Sequence, residues 1–141
     1  MIAAGFARYG MRAEAVRLLE GLFDAVRMLE EHRLPELFCG FRRRAGQGPT
    51  LYPVACSPQA WASGSVFMLL QACLGISFQR EKPQISFTKP MLPEFLQWVR
   101  FEYLRVGAGS VDLMLRRHPR DVSINVLRST GDVGVAVHLE A

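Results

Sequence analysis

The chain has 141 residues, of which 50% are hydrophobic and 21% charged, with a formal net charge of +4. This composition excludes an intrinsically disordered chain, and the length suits one compact domain or two small ones. No apolar run reaches the roughly 20 residues of a membrane-spanning helix, residues 1–9 do not resemble a signal peptide, and no membrane partner is expected. The arginine clusters lack an aromatic platform or a recognition motif, so we expect no nucleic-acid partner.

Two helices are predicted at the start of the chain. Residues 1–9 are typical of the end of a helix that Gly10 terminates. Residues 12–31 form an amphipathic pattern, because apolar side chains recur at spacings of three and four. These apolar positions are Ala15, Leu18, Leu19, Leu22, Val26 and Leu29.

Residues 32–57 have no hydrophobic period and contain several prolines and glycines, which interrupt helices and central strands. Long loops of this kind are either functional or disordered. The segment carries too many apolar side chains for a solvated linker, so we expect an ordered, packed loop. Its three consecutive arginines, Arg42 to Arg44, are interpreted as a solvated face.

A further helix is predicted to begin at Ser57, which is a favourable N-cap, with Pro58 at the first helical position. Gly75 would end it. The segment between them is apolar on nearly every face, which is typical of a helix in a protein interior.

After Gly75 the hydrophobic period changes to two. Alternating runs separated by tight turns predict strands, and their regular spacing favours an antiparallel meander. The runs cover residues 84–88, 98–106, 110–117, 122–128 and 133–139. The predicted fold class is therefore α+β, with a helical part at residues 1–75 and an antiparallel β region at residues 76–141.

Glu36 is a single carboxylate between apolar neighbours, Leu34 and Pro35 before it and Leu37 and Phe38 after it. Such a carboxylate either faces water or lies in a pocket where burial and hydrogen bonds change its pKa. The residue pattern alone favours the surface interpretation.

Two motifs favour the pocket interpretation of Glu36 over the surface interpretation. They are LPELFCG at residues 34–40 and CSPQAWASG at residues 56–64. Together with ARYG at 7–10, LRVG at 104–107 and SVDLMLRRH at 110–118, they resemble the C-terminal region of bacterial glycogen-debranching, amylo-α-1,6-glucosidase-like proteins. The resemblance covers nearly the whole chain. It implies that residues 1–75 are the last helices of an (α/α)₆ toroid, followed by a small antiparallel β-sheet tail.

The resemblance also implies a role for Glu36, the general base of an inverting α-glucan hydrolase. In such enzymes the base deprotonates a water, and a second carboxylic acid about 6.5–9.5 Å away protonates the leaving oxygen. In the full-length relatives that acid lies upstream. We therefore expect half of a catalytic pair here, and no activity from these residues alone.

Four further residues are candidate substrate contacts, each with a structural alternative. Trp61 either stacks on a sugar ring or belongs to the core, and Gln59 either binds a hydroxyl or caps its helix. His32 and Arg33 either pair with Glu36 or with substrate hydroxyls, or form a solvated helix end.

No metal or cofactor is expected. The three histidines, His32, His118 and His138, are far apart in the sequence, and no phosphate-binding loop is recognisable. The three cysteines, Cys39, Cys56 and Cys73, lack metal-ligand spacing and predict reduced thiols in a cytoplasmic protein. Neither Cys39 nor Cys56 has the surroundings of a nucleophile.

The expected partners follow from these interpretations. An α-glucan oligosaccharide is the ligand of the full-length relatives. Helices that should face the rest of a toroid would leave apolar surface exposed, which predicts a homo-oligomer or a missing N-terminal chain as partner. The alternatives are a non-enzymatic interaction domain that self-associates through these helix faces, and a small nucleic-acid binder that uses the arginines.

Overall fold

The computed structural model describes residues 1–57, 59–79 and 81–139. Within these ranges the chain forms three α-helices followed by six β-strands, so the predicted α+β class is confirmed. None of the helices in the described ranges is long and apolar enough to span a membrane. The helices are α1 (Ile2–Arg8), α2 (Arg12–Val26) and α3 (Ala60–Leu74), and the strands are β1 (Ile76–Gln79), β2 (Gln84–Thr88), β3 (Trp98–Val106), β4 (Gly109–Arg117), β5 (Val122–Thr130) and β6 (Gly134–His138).

The first helix follows the prediction, and the second follows it at its start but not at its end. Helix α1 stops at Arg8, and Gly10 follows with a positive φ of 77°. Helix α2 ends at Val26, five residues before the predicted position at Glu31. Leu29 is extended there, and a separate 3₁₀ turn covers Glu30–His32. The prediction was too long because Leu29 keeps the helical apolar spacing and is buried, yet its backbone is not helical.

Helix α3 begins later than predicted. Its N-cap is Gln59, whose side-chain oxygen accepts a hydrogen bond from the Ala60 N–H at 3.0 Å, and not Ser57. The predicted helical position of Pro58 lies outside the described residues. The helix ends as predicted at Gly75, which adopts the left-handed conformation.

The prediction that α3 lies wholly in the interior is wrong. Helices α1 and α2 pack against it beside Leu69, Ala72 and Cys73, and Leu74 packs into the sheet core. In the first half of the helix, Trp61, Val66 and Phe67 have exposed fractions of 60%, 42% and 76%. The described partners of α3 therefore cover mainly its C-terminal half.

The strands form two three-stranded sheets among the described residues. Strands β3, β4 and β5 make the predicted antiparallel meander. The second sheet has the order β1–β2–β6, and β1 was not predicted. Strand β6 does not continue the meander as predicted; it pairs parallel with β2, with Ile85 opposite Val135. This pairing satisfies the backbone groups along one edge of β2.

Both sheets contribute to one hydrophobic core. Phe87 and Ile85 from β2 lie with Val111, Leu113 and Leu115 from β4, all of them fully buried or nearly so. A smaller core lies between the helices, with Ala3, Ala15, Val16, Leu19, Leu69, Ala72 and Cys73.

The helices and sheets are joined through the end of α3. Leu74 belongs to the sheet core while its neighbour Cys73 belongs to the helical core. The Met91 N–H donates to the Cys73 carbonyl at 3.0 Å. On the other side, the rings of Phe23 and Phe95 stack with centroids 4.0 Å apart. The predicted boundary between residues 75 and 76 therefore crosses a packed interface.

Candidate functional site

The loop between α2 and α3 is ordered by few contacts and is not packed as predicted. A single antiparallel bridge pairs Phe38 with Leu51, and Pro35 is buried. The apolar side chains that argued for packing are instead exposed, because no element in the described parts of the chain covers them. They are Leu37, Phe38, Phe41, Leu51, Tyr52 and Val54.

Glu36 and Cys56 form a reciprocal pair across this loop. The Glu36 N–H donates to the Cys56 carbonyl at 3.0 Å, and the Cys56 N–H donates to Oε2 of Glu36 at 3.1 Å. The two residues are 20 positions apart in the chain. The pair therefore joins the LPELFCG segment to the CSPQAWASG segment at the residue proposed to be catalytic.

These hydrogen bonds change the acidity of both groups. The backbone N–H of Cys56, then the Cys56 thiol and the Gln59 side chain, hold the pKa of the Glu36 carboxyl below its ordinary value. Hydrogen bonding to Glu36 and its negative charge raise the pKa of the Cys56 thiol. Each effect stabilises a carboxylate beside a neutral thiol. Glu36 is therefore ionised at neutral pH.

Gln59 takes the structural role proposed for it. Its side-chain oxygen accepts a hydrogen bond from the Ala60 N–H and so caps α3. Its side chain is also near enough to Glu36 to contribute to the lowered pKa of that carboxyl. The N-cap of α3 thus brings two sequence-predicted site residues, Glu36 and Gln59, near each other.

Trp61 lies in the first turn of α3, two residues after Gln59. Its ring is 60% exposed, so the interpretation of Trp61 as a core residue is wrong. An exposed indole at the start of this helix offers a flat apolar face for stacking.

His32 and Arg33 are directed to other partners. Nδ1 of His32 lies 3.4 Å from the carbonyl oxygen of Val26, and Nη1 of Arg33 lies 3.2 Å from Oε2 of Glu31. Within the described residues neither side chain pairs with Glu36, so that part of the prediction is wrong. Glu31 and His32 both have a positive φ, which bends the backbone directly before Arg33.

The site around Glu36 is open. Glu36 lines none of five cavities found among the described residues, and no second carboxyl group in that part of the chain shifts its pKa. No group of three or more His, Cys, Asp or Glu suited to a metal ion occurs in the same residues.

Cys56 is the site residue that reasoning from the sequence missed. All three cysteines are unpaired, and Cys56 has no spacing relation to Glu36 that a pattern would detect. In comparisons with known proteins, no protein-family model, no curated protein and no solved structure matches this chain.

Proposed function

We propose that this chain is the C-terminal part of an inverting α-glucan hydrolase of the glycogen-debranching, amylo-α-1,6-glucosidase type, and that Glu36 is its general base. The observation that carries the proposal is the reciprocal pair between Glu36 and Cys56. It joins the two motifs on which the family resemblance rests. A cytoplasmic location goes with the proposal, because all three cysteines are free thiols.

A general base has to be ionised before it can accept a proton from water. The Cys56 N–H and the Gln59 side chain favour the ionised form of Glu36, because they stabilise its negative charge. They also restrict the orientation of the carboxylate, since one oxygen is held by the backbone. Trp61, exposed in the first turn of α3, supplies a stacking surface for a glucose ring.

The proposal requires a second chain segment. The general acid of an inverting pair has to lie about 6.5–9.5 Å from the base, and a dry pocket has to form around the open carboxylate. The exposed side of α3 is the surface on which the remaining helices of a toroid would pack. We expect no hydrolysis of isomaltose, panose or glycogen by these 141 residues alone.

Calorimetric titration with isomaltose, panose and glycogen tests the binding part of the proposal. We expect weak binding that Glu36→Gln reduces about tenfold, the usual effect of losing a hydrogen bond to a charged group. Glu81→Gln, which removes an equal charge from an exposed turn before β2, is the matched control. Equal binding by wild type and Glu36→Gln would reject the role of Glu36, and absence of binding by both would mean that these residues alone form no sugar subsite.

A second candidate function is favoured by the exposed apolar surface. Phe67 is 76% exposed on α3 and Val54 79% exposed on the preceding loop. Large exposed apolar side chains favour an interaction site, here for a second copy of the chain. A self-associating, non-enzymatic domain predicts sedimentation coefficients that rise with concentration and fall in Phe67→Ser. A monomer at every concentration would exclude this candidate.

A further inference from the structure

A second concave site lies away from Glu36, between α2 and the arginine-containing part of the loop. It is a cavity of about 200 Å³ and the most enclosed of the five cavities. Helix α2 contributes Gly21 and Ala25, the turn that follows it contributes Met28, and the loop contributes Arg42 to Arg44. These arginines are exposed, as the sequence pattern predicted, and they also line this cavity.

The lining of this cavity is strongly positive. Three arginine residues line it, and no aspartate or glutamate lies among its described lining residues. Asp24 stands outside the lining and pairs with Arg43 at 3.2 Å. Three arginines brought together repel one another, and a bound anion removes that cost.

Two of the arginines are already held in place. Nη2 of Arg43 bonds to Oδ2 of Asp24, and Nη2 of Arg44 donates to Oγ1 of Thr50 at 3.3 Å. Side chains fixed before a ligand arrives lose less rotamer entropy on binding. Arg42 is exposed and makes no hydrogen bond or ion pair with another residue in the described part of the chain, so its donors are free for a ligand.

The backbone of the loop lies close to the turn that follows α2. The Gln47 N–H donates to the Arg44 carbonyl at 3.3 Å, which closes a turn directly after the arginines. A Cβ at Gly48 would lie only 3.1 Å from the Cβ of Met28, so the loop passes very close to that turn. The arginines therefore precede a loop segment that contacts the end of the α2 region.

The volume of the cavity limits the size of the ligand that it can hold. Sites for drug-sized molecules have about 300–1,000 Å³, so a 200 Å³ cavity is too small for an oligosaccharide. A tetrahedral oxyanion is much smaller, and its oxygens match the fork of donors of a guanidinium group. We propose that this cavity binds a phosphate group, supplied either as inorganic phosphate or as a phosphate monoester.

The test is calorimetric titration with inorganic phosphate and, separately, with glucose 6-phosphate, at constant ionic strength in chloride. We expect saturable binding of at least one of them, weakened about tenfold by Arg42→Gln. Tighter binding of the monoester would identify an esterified ligand, and equal or weaker binding would identify free phosphate. Arg116→Gln, an exposed arginine on β4 outside all five cavities, should leave the affinity unchanged.

A second variant tests whether binding depends on the space in the cavity, independently of its charge. Ala25→Leu fills part of the cavity without altering any arginine, and we expect it to weaken phosphate binding as well. The proposal would be overturned by an absence of saturable binding, by equal effects of Arg42→Gln and Arg116→Gln, or by an oligonucleotide binding where phosphate does not. Glu36→Gln should retain phosphate binding, so this site and the proposed glucan site can fail separately.

Discussion

The sheets and the helices of this protein differ in how completely they bury their apolar residues. In the sheets, Phe87, Ile85, Leu113 and Leu115 are completely excluded from solvent. On α3 and the preceding loop, Phe67, Trp61 and Val54 are largely exposed. Both regions have apolar sequences and both expose some apolar side chains, such as Trp98 and Tyr103 on β3, but most of the large side chains that are fully buried lie in the sheets. An apolar segment is stabilised by burial, but the topology of the chain decides whether another element covers it.

Both candidate sites lie in the region with exposed apolar side chains and not in the sheets. Glu36 and the arginine cavity both lie on the loop between α2 and α3, where the chain is held by a few specific hydrogen bonds. The sheet core stabilises the molecule without contributing to either site. This is the usual arrangement of functional loops on a rigid scaffold.

The largest expected effect contrasts two phenylalanines. Phe87→Ala removes a fully buried ring and should lower the free energy of unfolding by about 3–5 kcal/mol. Phe67→Ala removes a ring that is 76% exposed and should change it by less than about 0.5 kcal/mol. Denaturant unfolding measures both. A large loss in Phe67→Ala would mean that the exposed side of α3 is covered in solution.

The next contrast uses two glycines of the α3 region. Gly75 has a φ of +60°, and a Cβ there would collide with the Thr88 carbonyl oxygen and the Arg12 guanidinium. Gly75→Ala should therefore destabilise by about 3 kcal/mol, because strain and overpacking add. Gly64 is helical with no atom near its would-be Cβ, so Gly64→Ala should stabilise by up to about 1 kcal/mol. Thermal unfolding of both variants checks the junction with the sheets.

A smaller effect tests the Glu36–Cys56 pair through thiol chemistry. Glu36 raises the pKa of the Cys56 thiol, so Glu36→Gln should increase the thiolate fraction and the alkylation rate of Cys56 at neutral pH. Burial raises the pKa of the Cys73 thiol to about 11, and Cys73 should stay unmodified in both proteins. Mass spectrometry resolves the sites. An unchanged Cys56 rate, with Glu81→Gln as reference, would contradict the pair.

The smallest effect is the pH dependence of the same pair. The pKa of Glu36 is lowered in the folded chain, chiefly by the Cys56 N–H. Its contribution to stability is therefore fully present above the unfolded glutamate pKa of about 4.3 and is lost as pH falls through the folded value. The stability difference between wild type and Glu36→Gln should shrink below about pH 4. A stability difference that does not change with pH would show that the Cys56 N–H does not hold the Glu36 carboxylate.

Local patterns predicted the elements whose partners are neighbours in the chain. Strands β3, β4 and β5 follow from alternation and tight turns, because each pairs with the next. The end of α3 follows from Gly75, whose left-handed backbone is a local property. The end of α2 was missed, because Leu29 keeps the apolar spacing while its backbone is extended.

Long-range contacts could not be predicted in this way. The parallel pairing of β6 with β2 joins segments about 50 residues apart, and nothing in either strand specifies the other. The arginine cavity depends on the loop closing against α2, which the charges alone do not reveal. The contact between Glu36 and Cys56 could likewise not be predicted from the sequence, because its geometry arises from the backbone of two separate loop segments.

By itself, the sequence determined the α+β class, the three helical segments, the meander and the choice of Glu36 as the residue to test. These depend on period, capping and turn residues, which act over a few positions. Only the tertiary structure decided which apolar faces are covered, where β6 pairs, and that Glu36 is held by Cys56 and Gln59. Those outcomes depend on which distant segments meet, because burial and hydrogen bonding are properties of the assembled surroundings.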